Sequence, residues 1–161
     1  MLFRSGAAYA LAEAGAKLSI TGRNVDRVRV LARASGAELL TRQQAEARKF
    51  DVLVHATPLG MYPRTDQCFF NGRIPAEMVF DMVYNPLDTV LLRKARSQGA
   101  ETISGLEMFI EQAVRQFEIF TGESAPKAVM ERAAAEALAS ALTATKNDTV
   151  KSDTTKPDHG R

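Results

Sequence analysis

Tryptophan is absent from the 161 residues of this chain, cysteine occurs once and histidine twice. A lone Cys68 cannot close an internal disulfide, and a cysteine-based zinc site needs ligands that the sequence does not hold. Cys68 therefore reads as a semi-buried free thiol in a reducing cytosol. His159 lies in a polar tail and reads as a solvated side chain, which leaves His55 to be weighed. No apolar run approaches the ~20 residues of a membrane-spanning helix. Met1 to Ala14 also lacks the charged and apolar blocks of a secretion signal. A dominant charge is missing too: 21 basic residues oppose 19 acidic ones for a net +2, and the basic residues are dispersed. That distribution offers no electrostatic footprint for nucleic acid or an anionic membrane. The expectation is a cytoplasmic protein that binds neither.

What is present is the composition of an ordinary globular domain. With 45% hydrophobic and 25% charged residues, the chain can build one core but not two large ones. Ala7 to Ala14 is rich in helix formers and stops at Gly15, a good left-handed cap. Lys17 to Thr21 reads as a strand. Val28, Leu31 and Ala32 then repeat at helical spacing between Val25 and Gly36, and a weaker strand covers Glu38 to Thr41. FDVLVHAT, Phe50 to Thr57, is a continuous apolar run of the kind buried on both faces of a parallel sheet. After a long connection from Pro58 to Pro75 come a strand at Met78 to Tyr84, a helix from Asp88 to Gln98, a strand at Glu101 to Ser104 and a helix from near Leu106. In that helix Leu106, Phe109, Ile110, Ala113, Val114 and Phe117 form an apolar stripe suited to packing on the sheet. Ser124 as N-cap, with Pro126 behind it, opens a last alanine-rich helix to about Leu142. The alternation predicts an α/β fold with a doubly wound parallel sheet over residues 1–142. Residues 143–161 hold almost no apolar side chain and are expected to form a disordered polar tail.

Chemistry concentrates in a few places. In ITGRNVDR, Ile20 to Arg27, a strand ends and Arg23 and Arg27 lie four residues apart across a helix start. An acidic residue here would favour an unphosphorylated ribose, whereas arginine clamps a 2′-phosphate through charge-assisted hydrogen bonds. The pattern points to NADP. HATPLGM, His55 to Met61, closes a strand at the end where open parallel sheets bind ligands. Thr57 can donate its hydroxyl to a cofactor there, and Gly60 permits close backbone approach. His55 has no carboxylate near it in sequence to orient it, so it reads as a tolerated replacement, not an acid or base. In FDMVYNP, Phe80 to Pro86, and SGLEMFIEQAVRQFEIFTG, Ser104 to Gly122, a strand, a tight turn and a helix start surround a few polar side chains. Gly105, at the handover from strand to helix, lets backbone approach a flat ring. Met108 and Gln112, four apart, share one helical face and offer a thioether and an amide that both donates and accepts.

The last two segments closely resemble the carboxy-terminal signature of shikimate dehydrogenase, and the resemblance runs from about Ala7 to Met130. It implies an NADP-dependent oxidoreductase of aromatic amino-acid biosynthesis that reversibly reduces 3-dehydroshikimate to shikimate. Gly22, Arg23, Asn24 and Arg27 fall where the family carries Asn-Arg-Thr and a further basic residue, which implies contacts to the adenine, ribose and 2′-phosphate. Thr57 lies in the family's Asn-Ala-Thr segment, with His55 in place of the asparagine. Met82 matches the position whose backbone meets the nicotinamide end, Gly105 and Met108 belong to the same end, and Tyr84 and Gln112 are implied to meet the substrate. No metal site is implied.

The family's glycine-rich turn, first strand and amino-terminal substrate domain, with its lysine and aspartate, have no counterpart here. MLFRS and a lone Gly6 stand where the phosphate cradle belongs, and Leu2 to Arg4 is too short to be the strand. The first strand is central in the doubly wound order, so two neighbours should be left with unpaired edges. The expected fold is thus an incomplete Rossmann-like doubly wound sheet: the NADP-binding portion of a shikimate dehydrogenase, or of one fused to a dehydroquinate dehydratase, inactive alone unless a partner chain supplies the missing half. Two further readings stay open, a non-catalytic remnant or binding module and a quinate/shikimate dehydrogenase using NAD, the latter disfavoured by Arg23 and Arg27.

Overall fold

The structure, a computed structural model, describes residues 2–138 and 140. The tail expected at 143–161 lies outside these residues, as does the expected end of the last helix at Leu142. The chain divides into two compact units, one up to Gly105 and one from Leu106 on. The first unit holds α1 (Leu2–Glu13), β1 (Ser19–Ile20), α2 (Val25–Ser35), β2 (Glu38–Leu39), α3 (Arg42–Glu46), β3 (Phe50–His55), β4 (Ala76–Asp81), α4 (Val90–Ser97) and β5 (Glu101–Ile103). The second holds α5 (Gly105–Thr121), whose first residue belongs to the first unit, and α6 over residues 127–138.

Local chemistry sets most helix ends. The Asn24 side chain accepts from the Arg27 N–H to start α2, and Gly36 ends it at φ 66°, where Ala37 N–H reaches back to the Ala32 carbonyl at 2.8 Å. Thr89 starts α4 by accepting from Leu92 N–H. The short α3 lies in a stretch for which the sequence reading named no element. A capping box forms it: Thr41 accepts from Gln44 N–H while the Gln44 amide accepts from Thr41 N–H. At α6 the expected cap moves, because the Pro126 carbonyl, not Ser124, takes the first helical hydrogen bond, from Met130 N–H at 3.1 Å.

All strand pairs are parallel, and they form two separate sheets, β1–β2 and β3–β4–β5. Placed in the doubly wound order, this is β2-β1, a position with no strand among the described residues, then β3-β4-β5. β1 and β3 therefore each keep one edge without a strand, as the sequence reading anticipated. The expectation that β3 is buried on both faces is not met: Asp51 is exposed and Val52 is 48% exposed. The start of β3 rims an open groove at the amino ends of the strands, and only its carboxyl end, at His55, is buried.

The core lies where α4 covers β4 and β5. Leu91, Leu92 and Ala95 pack with Val79 and with Phe69, Phe70 and Ile74 from the β3–β4 connection. Fully burying each leucine is worth about 1.5–3 kcal/mol. Lys94 secures that connection by donating to the Phe70 carbonyl at 2.9 Å and to that of Asn71, while Gln98 accepts from Ile74 N–H at 2.8 Å. In the second unit Ile110 is the buried member of the α5 stripe. Phe109, expected within that stripe, is 47% exposed, while Leu106, Ala113, Val114 and Phe117 are partly buried.

Candidate functional site

The carboxyl ends of β3, β4 and β5 converge on one patch in the first unit. Beyond β3 the chain turns through Thr57 and Gly60, and Gly60 takes φ 80° with its Cα facing the Gln67 carbonyl and Thr89. Beyond β4 run Met82, Val83 and Tyr84. The two segments are stitched together: Met82 N–H donates to the His55 carbonyl at 3.0 Å and Tyr62 N–H to the Asn85 carbonyl at 3.2 Å. Beyond β5, Gly105 lies flat against the Met82–Val83 backbone. A Cβ there would sit 2.5 Å from the Val83 carbonyl oxygen and 2.8 Å from the Met82 carbonyl carbon. The close approach that glycine was expected to allow a ring is already used by the chain itself. Tyr84 is half exposed at the rim.

Beneath this patch is a buried polar network that the sequence did not reveal. Asp81, fully buried at the end of β4, accepts from Val83 N–H at 3.1 Å and from the Thr89 hydroxyl at 2.6 Å. Its Oδ1 also lies 2.8 Å from His55 Nδ1, and His55 Nε2 lies 2.6 Å from Thr57 Oγ1. Thr57 Oγ1 in turn accepts from Leu59 N–H at 3.2 Å. The reading of His55 as an unoriented replacement is thus corrected: a carboxylate 26 residues away orients it, brought there by the parallel register that pairs His55 with Asp81. Asn85 was also missed. No donor among the described residues reaches its buried Oδ1, and its only signal in the sequence is its place between Tyr84 and Pro86.

The expected nucleotide residues lie elsewhere in the first unit, on the turn from β1 into α2. Arg23 and Arg27 are exposed, and no hydrogen bond or ion pair engages either guanidinium among the described residues. Asn24 spends its Oδ1 on the α2 cap, which leaves its amide nitrogen free of that role. A Cβ on Gly22 would come within 2.9 Å of Val28 Cγ2, so this glycine also serves the packing of its own turn. In the second unit, Met108 and Gln112 line one shallow depression on α5 together with Glu111, Arg115 and Gln116. Glu111 is held below the usual carboxylate range, chiefly by a hydrogen bond from Lys127.

A larger groove, about 780 Å³, opens at the opposite, amino-terminal ends of β3, β4 and β5 among Lys49, Asp51, Arg73, Glu77 and Glu101. Its charges are partly spent on one another, as in the 2.6 Å Lys49–Glu77 pair. Ligands of open parallel sheets bind beyond the carboxyl ends of the strands, and the chemistry-bearing residues lie there. Among the described residues no group of three or more His, Cys, Asp or Glu could hold a metal ion, and no helix is long and apolar enough to cross a membrane.

Comparison with known proteins agrees with this geometry. The family described as Shikimate 5'-dehydrogenase C-terminal domain matches residues 105–135. A shikimate dehydrogenase (NADP(+)) of Methanosarcina mazei is 39% identical over 142 residues, covering 81% of this chain and 51% of the relative. The bifunctional chloroplastic 3-dehydroquinate dehydratase/shikimate dehydrogenase of Arabidopsis thaliana is 41% identical over 125 residues, covering 74% of this chain and 21% of the relative. Among solved structures, shikimate 5-dehydrogenase of Thermus thermophilus in complex with NADP(H) and shikimate superposes with a TM-score of 0.70 at 31% identity, over 81% of this chain and 49% of that one. The chain spans about half the length of the monofunctional curated relatives it matches. Across that half, sequence and backbone agree, and the chain belongs to the shikimate dehydrogenase family as a counterpart of its carboxy-terminal domain.

Proposed function

We propose that the chain is the dinucleotide-binding portion of a shikimate dehydrogenase, holding NADP(H) against 3-dehydroshikimate or shikimate. The observation that carries this reading is the convergence of Thr57, Met82, Tyr84 and Gly105 at the carboxyl ends of three parallel strands. The residues present fit the phosphorylated end of NADP. Arg23 and Arg27 are exposed beside the amino end of α2, with guanidinium groups that no partner engages among the described residues. A bound NADPH would supply the hydride. Arg23 and Arg27 clamp its 2′-phosphate, Gly22 and Asn24 meet the ribose and adenine, Thr57 faces the dinucleotide, Met82, Gly105 and Met108 border the nicotinamide, and Tyr84 and Gln112 hydrogen-bond the hydroxy acid. An additional parallel strand from outside the described residues, from a preceding segment or a partner chain, joins β1 to β3 and completes the sheet. The work belongs to the cytoplasm.

A second reading has its own support, because a quinate dehydrogenase of Corynebacterium glutamicum in complex with NAD superposes with a TM-score of 0.66 at 33% identity. The two are separated by fusing the substrate domain, first strand and glycine-rich turn of a relative ahead of Ala7 and comparing the cofactors. On our reading NADP is preferred. The double change Arg23→Ala/Arg27→Ala removes two charge-assisted contacts, each worth about 1.5–3 kcal/mol, and weakens NADP use far more than NAD use. Equal losses for the two cofactors would refute the clamp. A fusion that binds neither would favour a non-catalytic module.

A further inference from the structure

We propose that His55 sets the polarity of the Thr57 hydroxyl, so that Thr57 presents a hydrogen-bond acceptor while the imidazole is neutral and a donor once it is protonated. The functional consequence rests on the reading of Thr57 as a cofactor-facing residue; the polarity itself follows from the hydrogen-bond inventory.

Asp81 Oδ1 accepts from the Val83 N–H, and Oδ2 accepts from the hydroxyl of Thr89, whose oxygen is itself occupied by Leu92 N–H. With both carboxylate oxygens acting as acceptors, the hydrogen in the 2.8 Å contact to His55 belongs to Nδ1. A neutral ring protonated at Nδ1 carries a lone pair at Nε2. The partner of Nε2, at 2.6 Å, is Thr57 Oγ1, so the threonine hydrogen points into the ring. Threonine has one O–H and two lone pairs. The O–H is spent on His55 and one lone pair on Leu59 N–H, which leaves a single lone pair for a ligand.

Protonation of the ring places a hydrogen on Nε2, which then donates to the same oxygen. Both lone pairs of Thr57 are now filled, by His55 and Leu59, and the hydroxyl hydrogen swings outward. Rotation about one C–O bond turns an acceptor into a donor, and Asp81 stays in place to balance the imidazolium. Among the described residues, Asp81 from β4 is the charged group that pairs with the ring. Thr89 at the start of α4 and Thr57 in the loop beyond β3 complete the network, and both are uncharged. His55 is on this account a positioning residue acting through Thr57.

The test uses the full 161-residue chain, ¹⁵N-labelled, with ring nitrogen correlations and backbone amide shifts followed from about pH 5 to 8, the range in which histidine ordinarily titrates. The chain has two histidines, so His55→Asn identifies the signals. In the neutral ring, Nδ1 should be pyrrole-type and Nε2 pyridine-type. The Leu59 amide proton should shift in step with His55, lose that dependence in Thr57→Val and keep it in Thr57→Ser, which restores a hydroxyl. A neutral ring protonated at Nε2, or a Leu59 amide that tracks His55 equally in Thr57→Val, would overturn the proposal. NADP⁺ added to the labelled fused protein, which restores the first strand and glycine-rich turn, addresses the underlying reading separately. Absence of shifts at Thr57 and Leu59 would remove the cofactor from this loop while the hydroxyl polarity, measured without it, still stands or falls on the tautomer.

Discussion

Replacing Gly105 with alanine should destabilise the first unit whether or not a ligand is bound. The new Cβ would lie 2.5 Å from the Val83 carbonyl oxygen, 2.6 Å from its carbon and 2.8 Å from the Met82 carbonyl carbon. About 0.9 Å must open before the shortest separation reaches 3.4 Å, the lower end of ordinary contact. All three atoms are main chain just beyond β4, so no side chain can turn aside. Overpacking of this kind costs about 1–3 kcal/mol, and alanine's better helix propensity returns at most ~1 kcal/mol. With three main-chain contacts below 3.0 Å the cost belongs to the upper half of that range, so a net loss of about 1–2 kcal/mol should lower the melting midpoint by roughly 2–8 °C in a chain of this size. Urea unfolding followed by circular dichroism measures it, with the midpoint falling and the slope unchanged. Gly72→Ala is the control, since a Cβ there meets nothing within 4 Å. If Gly105→Ala unfolds at the same urea concentration as the parent and the control, the chain does not need this glycine, and the requirement would pass to the cofactor ring.

Other outcomes follow from single contacts. Gly60→Ala forces a side chain onto φ 80° with its Cβ 3.2 Å from the Gln67 carbonyl; a loss of about 1–2 kcal/mol in urea unfolding is expected, and an unchanged midpoint would contradict it. Thr41→Ala removes half of the α3 capping box and should cost about 0.5–2 kcal/mol locally, read as faster hydrogen exchange at Gln44. Glu38 is held below the usual carboxylate range by the hydrogen bond from Arg48 and then by its charge. Its pairing therefore favours the folded state above the ordinary carboxylate pKa and is lost as pH falls through the lowered folded value. Arg48→Ala should return the Glu38 titration, followed by NMR, to the ordinary range. Gln112→Ala, in the fused enzyme, should impair shikimate use with NADP and NAD alike, and unchanged shikimate kinetics would remove it from the site.

Much of the fold was legible because it is written in local patterns. The helical spacing of Val28, Leu31 and Ala32, the left-handed glycine at 36 and the strand-helix alternation located α2, α4, α5 and all five strands. The unpaired edges of β1 and β3 were anticipated from topology alone. What escaped was either too short or too distant. The five residues of α3 cannot display a periodic stripe, and their signal was the Thr41–Gln44 spacing. The burial of β3 was overestimated because an apolar run does not say which elements will cover it. Asp81 and His55 are neighbours only because β3 and β4 pair in a register offset by 26 residues, a quantity no local pattern encodes.

The connection from Pro58 to Pro75 has almost no regular structure, yet its two parts differ in what can move them. Met61 to Gln67 is exposed, as loops ordinarily are. The stretch from Phe69 to Pro75 is buried at both ends around an exposed tip at Asn71 to Arg73: Phe69 and Phe70 meet edge to face at 5.0 Å, Arg42 stacks on Phe69, and Lys94 and Gln98 hold main-chain groups on either side of the tip. Loop motions ordinarily run on nanosecond to microsecond scales. Here the buried ends of the second stretch can leave only when the core opens, so the Ile74 amide, which donates to Gln98, should exchange with the most protected class of the unit. A protease acting on the native state should find only the tip at Asn71 to Arg73 and spare the buried Phe69–Phe70 and Ile74–Pro75 ends. The two buried ends of this loop are thus as durable as the helix and sheet they pack against.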